Sequence, residues 1–278
     1  MNKNSYTLIK EIFIENNEIG DFVNLDKSRL AYHKILNALQ KPLKLILFYG
    51  KPGSGKTFLL HKIKADLDKK LKIVFFPQPF FDEEEFFTEI FYQIFEIKPK
   101  ERLSDYATFI RVYKEMLELK ENSFLGVDKV VILLDEAQLY PPNLIEKIRL
   151  MADTRLFKFL FTVHKTAQED LLAKDYFKTR IWESIELPTS TLNELKLYIE
   201  KKLLIHSFHG YYAMYDEDNF NLIYTLTEGN LRNLNKLLYK LYELFEYYEE
   251  YEPTFINPVG INHKTIEMAA ISAGLIDA

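Results

Sequence analysis

Residues 48–60 read FYGKPGSGKTFLL, and this stretch places three of the chain's nine glycines within six positions. An apolar run, LKLILFYG at 43–50, leads into the glycines, and KTFLLHKIKADLDKK at 56–70 follows them. A short β-rich run that ends in glycine is typical of a buried strand, and the second run has helical character. The stretch therefore predicts a strand, a glycine loop and a helix in that order, which decides the fold class.

The loop itself, GKPGSGKT at 50–57, satisfies the pattern G-x-x-x-x-G-K-[S/T]. Its glycines let backbone N–H groups turn inward around phosphate oxygens, and the helix that follows points its positive end at the same anion. Lys56 would reach the β- and γ-phosphates of a nucleotide, and the Thr57 hydroxyl would bind Mg²⁺. The candidate nucleotide-binding residues are Gly50, Lys51, Pro52, Gly53, Ser54, Gly55, Lys56, Thr57 and Phe58.

A second motif, VVILLDEAQ at 130–138, combines the strongest predicted strand with two carboxylates. Ligands of open α/β sheets bind outside the carboxyl ends of the strands, where Asp135 and Glu136 are expected. Asp135 fits the carboxylate that acts on Mg²⁺ with Thr57, and Glu136 is suited to polarise an attacking water. A small-molecule kinase would need an acceptor pocket, and no motif supplies one. The pair favours hydrolysis of ATP that drives a conformational change.

Strand and helix signals alternate as far as Pro188 and then only helices follow. Predicted strands cover 43–50, 72–79, 129–138, 157–165 and 182–188, and predicted helices cover 26–40, 56–70, 82–97, 106–122, 141–154 and 167–181. This alternation indicates a three-layer α/β sandwich with a mostly parallel central sheet. The later helices are expected at 191–207, 217–229, 230–250 and 263–276. We therefore expect an α/β nucleotide-binding domain at 1–188 and an all-α lid domain at 189–278.

The composition of the chain excludes or disfavours several classes of protein. The net charge of −5 argues against a protein whose whole surface grips nucleic acid, although it leaves room for a local basic patch. Cysteine is absent, which excludes disulfides and cysteine-ligated metals. The start of the chain lacks an apolar core of signal-peptide length, and the longest apolar runs are too short to cross a bilayer. A cytoplasmic protein without a transmembrane segment is expected.

Three further stretches have ordinary structural interpretations. His206 and His209 have no Cys or other His nearby, so loop or surface histidines are favoured over a metal site. Residues 239–255 interleave aromatic residues with glutamates, which favours a packed helix with a solvated face, or a surface that docks a partner. The basic stretch 61–72 is interpreted as a solvated helix face.

The two motifs, the polar-ended strand FLFTVHK at 159–165 and the helical second domain together resemble the AAA+ ATPases, which are P-loop NTPases of the ASCE class. Three passages resemble more narrowly the ExeA/GspA branch, which includes transposition helpers of the TniB kind. These passages are 22–57, 179–207 and 227–241. The resemblance covers roughly residues 20–278 and implies ATP and Mg²⁺ as cofactors.

The resemblance also implies roles for single residues. Arg232 falls on the sensor-2 arginine, which reaches the γ-phosphate from the lid. His164 is assigned to the sensor-1 place, with Thr162 as the competing choice, because the family usually has Asn, Gln, Ser or Thr there. Arg180 lies where such proteins can present an arginine to a neighbouring subunit of a homo-oligomer. A trans arginine of this kind contributes about 10³–10⁵ in rate, so an isolated monomer is expected to hydrolyse ATP slowly.

Three functions are compatible with these motifs and with the resemblance. The first is an ATPase of a cell-envelope machine for secretion, pilus assembly or DNA uptake, placed at the inner membrane through a protein partner. Envelope members often continue into a membrane span and a peptidoglycan-binding part, which another protein is expected to supply here. The second is a DNA-transaction ATPase, such as a transposition or replication helper, which the net charge disfavours. The third is a switch that binds ATP with negligible turnover.

Overall fold

The computed structural model describes residues 5–16, 18–68, 70–120, 130–164, 180–252 and 260–277. Contacts between Cα atoms divide these residues into two compact units. We call them the sheet unit, within 31–50 and 59–186, and the helical unit, within 1–30, 51–58 and 187–278. The glycine loop thus belongs to the helical unit by its contacts, although it follows a strand of the sheet unit in sequence.

The sheet unit is built on five parallel strands in the order β2-β3-β4-β1-β5. The strands are β1 Leu45–Gly50, β2 Ile73–Phe76, β3 Val130–Leu134, β4 Phe157–His164 and β5 Ile181–Glu186. All five predicted strands are confirmed, and every pairing is parallel. The register places Leu134 opposite Phe161 and Gly50 opposite His164, so β1, β3 and β4 end at one edge of the sheet.

Burial explains why these runs form strands. Every residue of β2 and of β3 is buried, as expected for strands covered on both faces in a parallel sheet. An aromatic cluster packs against them, with the rings of Phe87 and Phe109 stacked at 4.7 Å between centroids. β3 stops at Leu134, four residues before the predicted end, because Glu136 takes a left-handed conformation (φ 51°) and a 3₁₀ turn begins at Ala137.

Helices alternate with the strands along the chain, as predicted. They are α2 Asp26–Gln40, α3 Lys56–Leu67, α4 Glu83–Phe95, α5 Tyr106–Lys120 and α6 Pro142–Asp153. The Asp82 side chain caps α4 by accepting the Glu85 N–H at 2.8 Å, and Pro142 occupies the first position of α6. The helix predicted at 167–181 lies outside the described residues, apart from Arg180 and Ile181; the latter begins β5.

The helical unit contains the four later helices, which are confirmed as α7 Leu192–Ile205, α8 Glu217–Thr227, α9 Leu231–Tyr251 and α10 His263–Ser272. A capping box between Thr191 and Glu194 starts α7. The unit also contains α1 Ser5–Glu11, which the sequence analysis did not predict. The Tyr6 ring of α1 stacks on Phe245 of α9 with centroids 5.5 Å apart. Among the described residues, no helix is both long enough and apolar enough to cross a membrane.

The unit boundaries bear on the domain prediction. The last segment of the helical unit starts at Leu187, beside the boundary expected near 188. The same unit also takes residues from the first 30 positions and from 51–58, because α1 and the glycine loop pack with the later helices. A division into domains 1–188 and 189–278 remains a prediction from the sequence.

Candidate functional site

The glycine loop, residues 51–58, has the backbone conformation that its pattern predicts. Gly53 and Gly55 have φ of +75° and +99°, which glycine adopts at little cost. A Cβ on Gly53 would lie 2.3 Å from Asn230 Oδ1 and 2.7 Å from Arg232 Cβ, so close packing excludes a side chain there as well. The loop is therefore held in a conformation that only these glycines permit.

Two polar side chains of the loop point inward. Lys56 is buried, and its ammonium group donates to the Lys51 carbonyl at 3.2 Å. Ser54 is buried too, and its hydroxyl oxygen has no hydrogen-bond partner among the described residues. Buried polar atoms normally have partners, so an orphaned hydroxyl in a glycine loop indicates a place where a polar ligand completes the hydrogen bonding.

The start of α9 is tied to this loop. The Asn230 side chain accepts the N–H groups of Arg232 and Asn233, which caps the helix, and its amide donates to the Pro52 carbonyl at 2.8 Å. The Arg232 guanidinium pairs with Glu15 at 2.8 Å and is half exposed. The Cβ of Arg232 thus lies beside Gly53, while its guanidinium group pairs with Glu15 of the N-terminal segment.

A buried lysine fixes the other side of the loop. Lys27, in the first turn of α2, donates its ammonium hydrogens to the carbonyls of Ser54 at 3.3 Å and Pro188 at 3.1 Å. Its backbone N–H donates to Glu194 of α7 at 2.8 Å. Desolvation lowers the pKa of Lys27 to about 8, against the opposing charge of Glu194. Lys27 therefore links the glycine loop to the segment that opens α7.

The depressed pKa of Lys27 predicts a pH dependence of stability. The unfolded lysine has a pKa near 10.5, so between about pH 8 and 10.5 the unfolded chain binds more protons than the folded one. The contribution of Lys27 to the free energy of unfolding should therefore rise with pH in that window, by roughly 3 kcal/mol at most. Lys27→Met should lose this rise in denaturant titrations from neutral to alkaline pH.

The control for this experiment is Lys34→Met, which changes an exposed lysine of the same helix. It should keep the alkaline pH profile of the wild-type chain. An identical pH profile for wild type and Lys27→Met would show that the folded lysine keeps an ordinary pKa.

In the sheet unit, the carboxyl end of β3 presents a carboxylate held by its neighbours. Asp135 is buried, and its backbone N–H donates to the Phe76 carbonyl at 3.0 Å. Its Oδ1 accepts the Thr162 hydroxyl of β4 and the Glu136 backbone N–H, the latter at 3.0 Å. These bonds fix one oxygen of a carboxylate whose chemistry suits a hard cation such as Mg²⁺.

Glu136 is oriented from both sides. His164 Nε2 lies 2.9 Å from Glu136 Oε1, and the Gln138 amide donates to Glu136 Oε2. Its backbone is in the left-handed region, and its N–H also lies 3.1 Å from Thr162 Oγ1. A non-glycine residue held in that region is a strained feature of the kind found at functional sites. The arrangement holds the carboxylate at the end of the strand.

Both candidates for the sensor-1 place reach this pair of carboxylates. Thr162 is fully buried and contacts Asp135, whereas His164 is partly exposed and contacts Glu136. Their alternation along β4 follows from the two-residue period of a strand. The choice of His164 over Thr162 stays a prediction, because each contacts a different carboxylate.

Arg180 lies elsewhere in the sheet unit. It precedes β5, whose first residue pairs with Leu45 at the amino end of β1, so Arg180 is at the opposite edge of the sheet from Glu136. Its guanidinium lies 3.5 Å from Asp153, which also pairs with Lys44 at 2.9 Å. The structure does not bring Arg180 to Asp135 or Glu136 of its own chain. A role toward a neighbouring subunit remains a prediction.

Sequence reasoning missed several residues that contact the glycine loop or the carboxylates after β3. Asn230 could have been found, since an asparagine directly before a helical run is a common N-cap. Gln138 could have been suspected from its position two residues after Glu136. No local pattern marks Lys27 or Glu15, because their partners lie far away in the sequence.

Comparisons with known proteins agree with this architecture. Residues 39–171, just under half of the chain, match the family described as AAA domain. The Cdc6p structure from Pyrobaculum aerophilum is similar, with a TM-score of 0.62 and 17% identity over 86% of this chain and 66% of that one. ORC2 of Aeropyrum pernix in its ADPNP–ADP complexes has a TM-score of 0.57 and 13% identity, over 95% of this chain and 71% of that one.

Drosophila ORC bound to DNA has a TM-score of 0.63 and 11% identity, over 100% of this chain and 68% of that one. At such identities the likeness shows the fold alone, and this chain spans about two thirds of the length of the compared structures. No curated protein shows significant sequence similarity to it. The chain has the AAA+ P-loop fold, with a parallel five-stranded sheet and a helical C-terminal part.

Proposed function

We propose that this chain is an ATPase of a DNA transaction, which binds ATP with its glycine loop and hydrolyses it to drive a conformational change. The observation that carries this proposal is the loop. Gly53 and Gly55 have positive φ, Lys56 is buried, and the Ser54 hydroxyl lacks a partner among the described residues. A glycine loop with this backbone conformation and a lysine at the start of the following helix suit a triphosphate.

The residues proposed for each role follow from their chemistry. The loop from Gly50 to Phe58 would hold the phosphates, and the Thr57 hydroxyl and the Asp135 carboxylate are the oxygen ligands proposed for Mg²⁺. When bound, Mg²⁺ would neutralise charge on the phosphate oxygens. Glu136 would accept a proton from the attacking water, since a carboxylate oriented by neighbours is a suitable general base.

The assisting residues are part of the same proposal. Arg232 is the sensor-2 candidate, and its position beside Gly53 supports this because its backbone is anchored at the loop. His164 or Thr162 would orient the water or the metal ligand through the contacts with Glu136 and Asp135. Arg180 would act only on a neighbouring copy, which predicts slow hydrolysis by a monomer.

The comparisons favour DNA over the cell envelope as the place of action. The similar structures are a Cdc6p, an ORC2 and an ORC; the ORC is bound to DNA, and the ORC2 is in complexes with ADPNP and ADP. This support rests on similarity of fold. The net charge of −5 argues against nucleic-acid binding by the whole surface of the chain. Membership of the ExeA/GspA branch and an envelope partner remain predictions of the sequence passages.

ATPase assays across protein concentration, with and without duplex DNA, test this proposal. We expect turnover that rises more steeply than linearly with protein concentration and that increases when DNA is added. An ATPase rate that is the same with and without DNA would contradict the DNA-transaction role. Tight ATP binding without turnover at any concentration would instead identify a nucleotide switch.

A further inference from the structure

A groove of about 610 Å³ lies within the helical unit, along α9. Its walls come from the segment after α1, from α9 and from the end of α10, and include Phe13, Ile14, Lys236, Tyr239 and Ala273. The volume is within the range of roughly 300–1,000 Å³ that is common for binding pockets. The groove is therefore large enough to take side chains of a partner.

Cationic side chains follow the groove at helical spacing. Arg232, Lys236 and Lys240 are four residues apart, so they occupy successive turns of one face of α9. Arg232 pairs with Glu15 and Lys240 with Glu243, while Lys236 is exposed and has no ion-pair partner within the described ranges. Exposed pairs of this kind are weak, so carboxylates of a partner can compete for these cations.

The opposite end of the same helix has complementary chemistry. Tyr247 and Tyr251 are 50% and 63% exposed, and their rings lie 5.1 Å apart. Glu250 and Glu252 are exposed beside them. We call these four residues the acidic aromatic end. Two neighbouring tyrosine rings left in solvent, tilted by 35° to each other, are unusual for a surface without a partner. Tyrosine is enriched at the cores of interfaces, which polar rims surround.

Other charges along α9 do not cancel this complementarity. Glu246 is already paired with Lys10, whose ammonium group also lies 6.0 Å from the Tyr239 ring. Lys240 lies 5.6 Å from the same ring. The groove therefore presents an aromatic ring flanked by ammonium groups, whereas the acidic aromatic end presents exposed carboxylates around tyrosines, with Glu250 accepting the Tyr251 hydroxyl.

We propose that the acidic aromatic end of one copy docks in the groove of a second copy of this chain. Tyr247 and Tyr251 would enter beside Phe13 and Tyr239, and Glu250 would meet Lys236. Because the groove and the acidic aromatic end are different surfaces of one copy, the contact is head-to-tail and generates a ring or an open filament rather than a closed pair.

Charge reversal tests this contact directly. Lys236→Glu makes the groove acidic, and the double variant Glu250→Lys with Glu252→Lys makes the other end basic; all three residues are exposed, so folding should be retained. In sedimentation velocity, the wild-type chain should form species heavier than the 33.0 kDa monomer. Each variant alone should associate at least about tenfold more weakly, because like charges then face each other.

An equimolar mixture of the two variants should restore association, since each reversed surface then meets its complement on the other variant. Lys201→Glu, at an exposed position of α7, is the matched control and should associate as the wild type does. Wild-type protein that stays monomeric up to its solubility limit would overturn the proposal. So would a mixture that stays monomeric, or loss of duplex DNA binding by Lys236→Glu with self-association unchanged.

Discussion

Lys56→Ala is expected to abolish binding of MgATP at the concentrations that saturate the wild-type chain. The Lys56 ammonium group is buried and points into the glycine loop, where it donates to the Lys51 carbonyl. A buried cation that bonds to phosphate contributes strongly, and truncating one partner of such a pair costs roughly 3 kcal/mol or about 100-fold in affinity. Titration with a fluorescent ATP analogue measures this loss.

The matched control is Lys51→Ala, which leaves the loop backbone in place and removes only the exposed side chain of a lysine in the same loop. It should bind MgATP within a fewfold of the wild-type affinity, because its ammonium group lies 3.9 Å from Glu228 rather than inside the loop. Thermal unfolding of both variants checks that the loop change leaves the chain folded. If Lys56→Ala and Lys51→Ala bind MgATP equally well, the phosphate site is elsewhere.

Glu136→Gln is expected to bind MgATP normally and to lose hydrolysis by about 100-fold to 10,000-fold, the usual contribution of a general base. Glutamine keeps the size of the side chain and can still bond to His164 and Gln138, so the surroundings should hold. It cannot accept a proton from water. Phosphate release under saturating ATP measures the loss.

Glu186→Gln is the control for this substitution, because Glu186 ends β5 of the same parallel sheet. Its hydrolysis should equal that of the wild-type chain. An equal loss in both variants would indicate a general effect of charge on the sheet unit rather than a catalytic role of Glu136.

Much of the fold could be predicted because its signals are local. The run VVILL at 130–134 is apolar at every position, as a strand buried on both faces requires, and the structure buries all five residues. The glycine pattern at 50–57 is similarly local, since positive φ at Gly53 and Gly55 is a property of the residues themselves. Both predictions needed no knowledge of distant contacts.

The remaining features depend on contacts that no short pattern encodes. α1 has seven residues and is stabilised by packing of Tyr6 on α9, so its own sequence is a weak signal. Lys27 is buried because two carbonyls far along the chain accept its hydrogens. The early end of β3 is set by the backbone of Glu136, a conformation that its residue type does not predict.

Single-turnover hydrolysis of prebound ATP by the wild-type chain and by Glu136→Gln tests the central claim most directly. Excess protein is loaded with labelled ATP, Mg²⁺ starts the reaction, and phosphate is followed in time. The account predicts that both proteins bind ATP and that only the wild-type chain releases phosphate within the time of the experiment. Release at equal rates from the two proteins would contradict the claim that this chain is an ATPase whose catalytic base is Glu136.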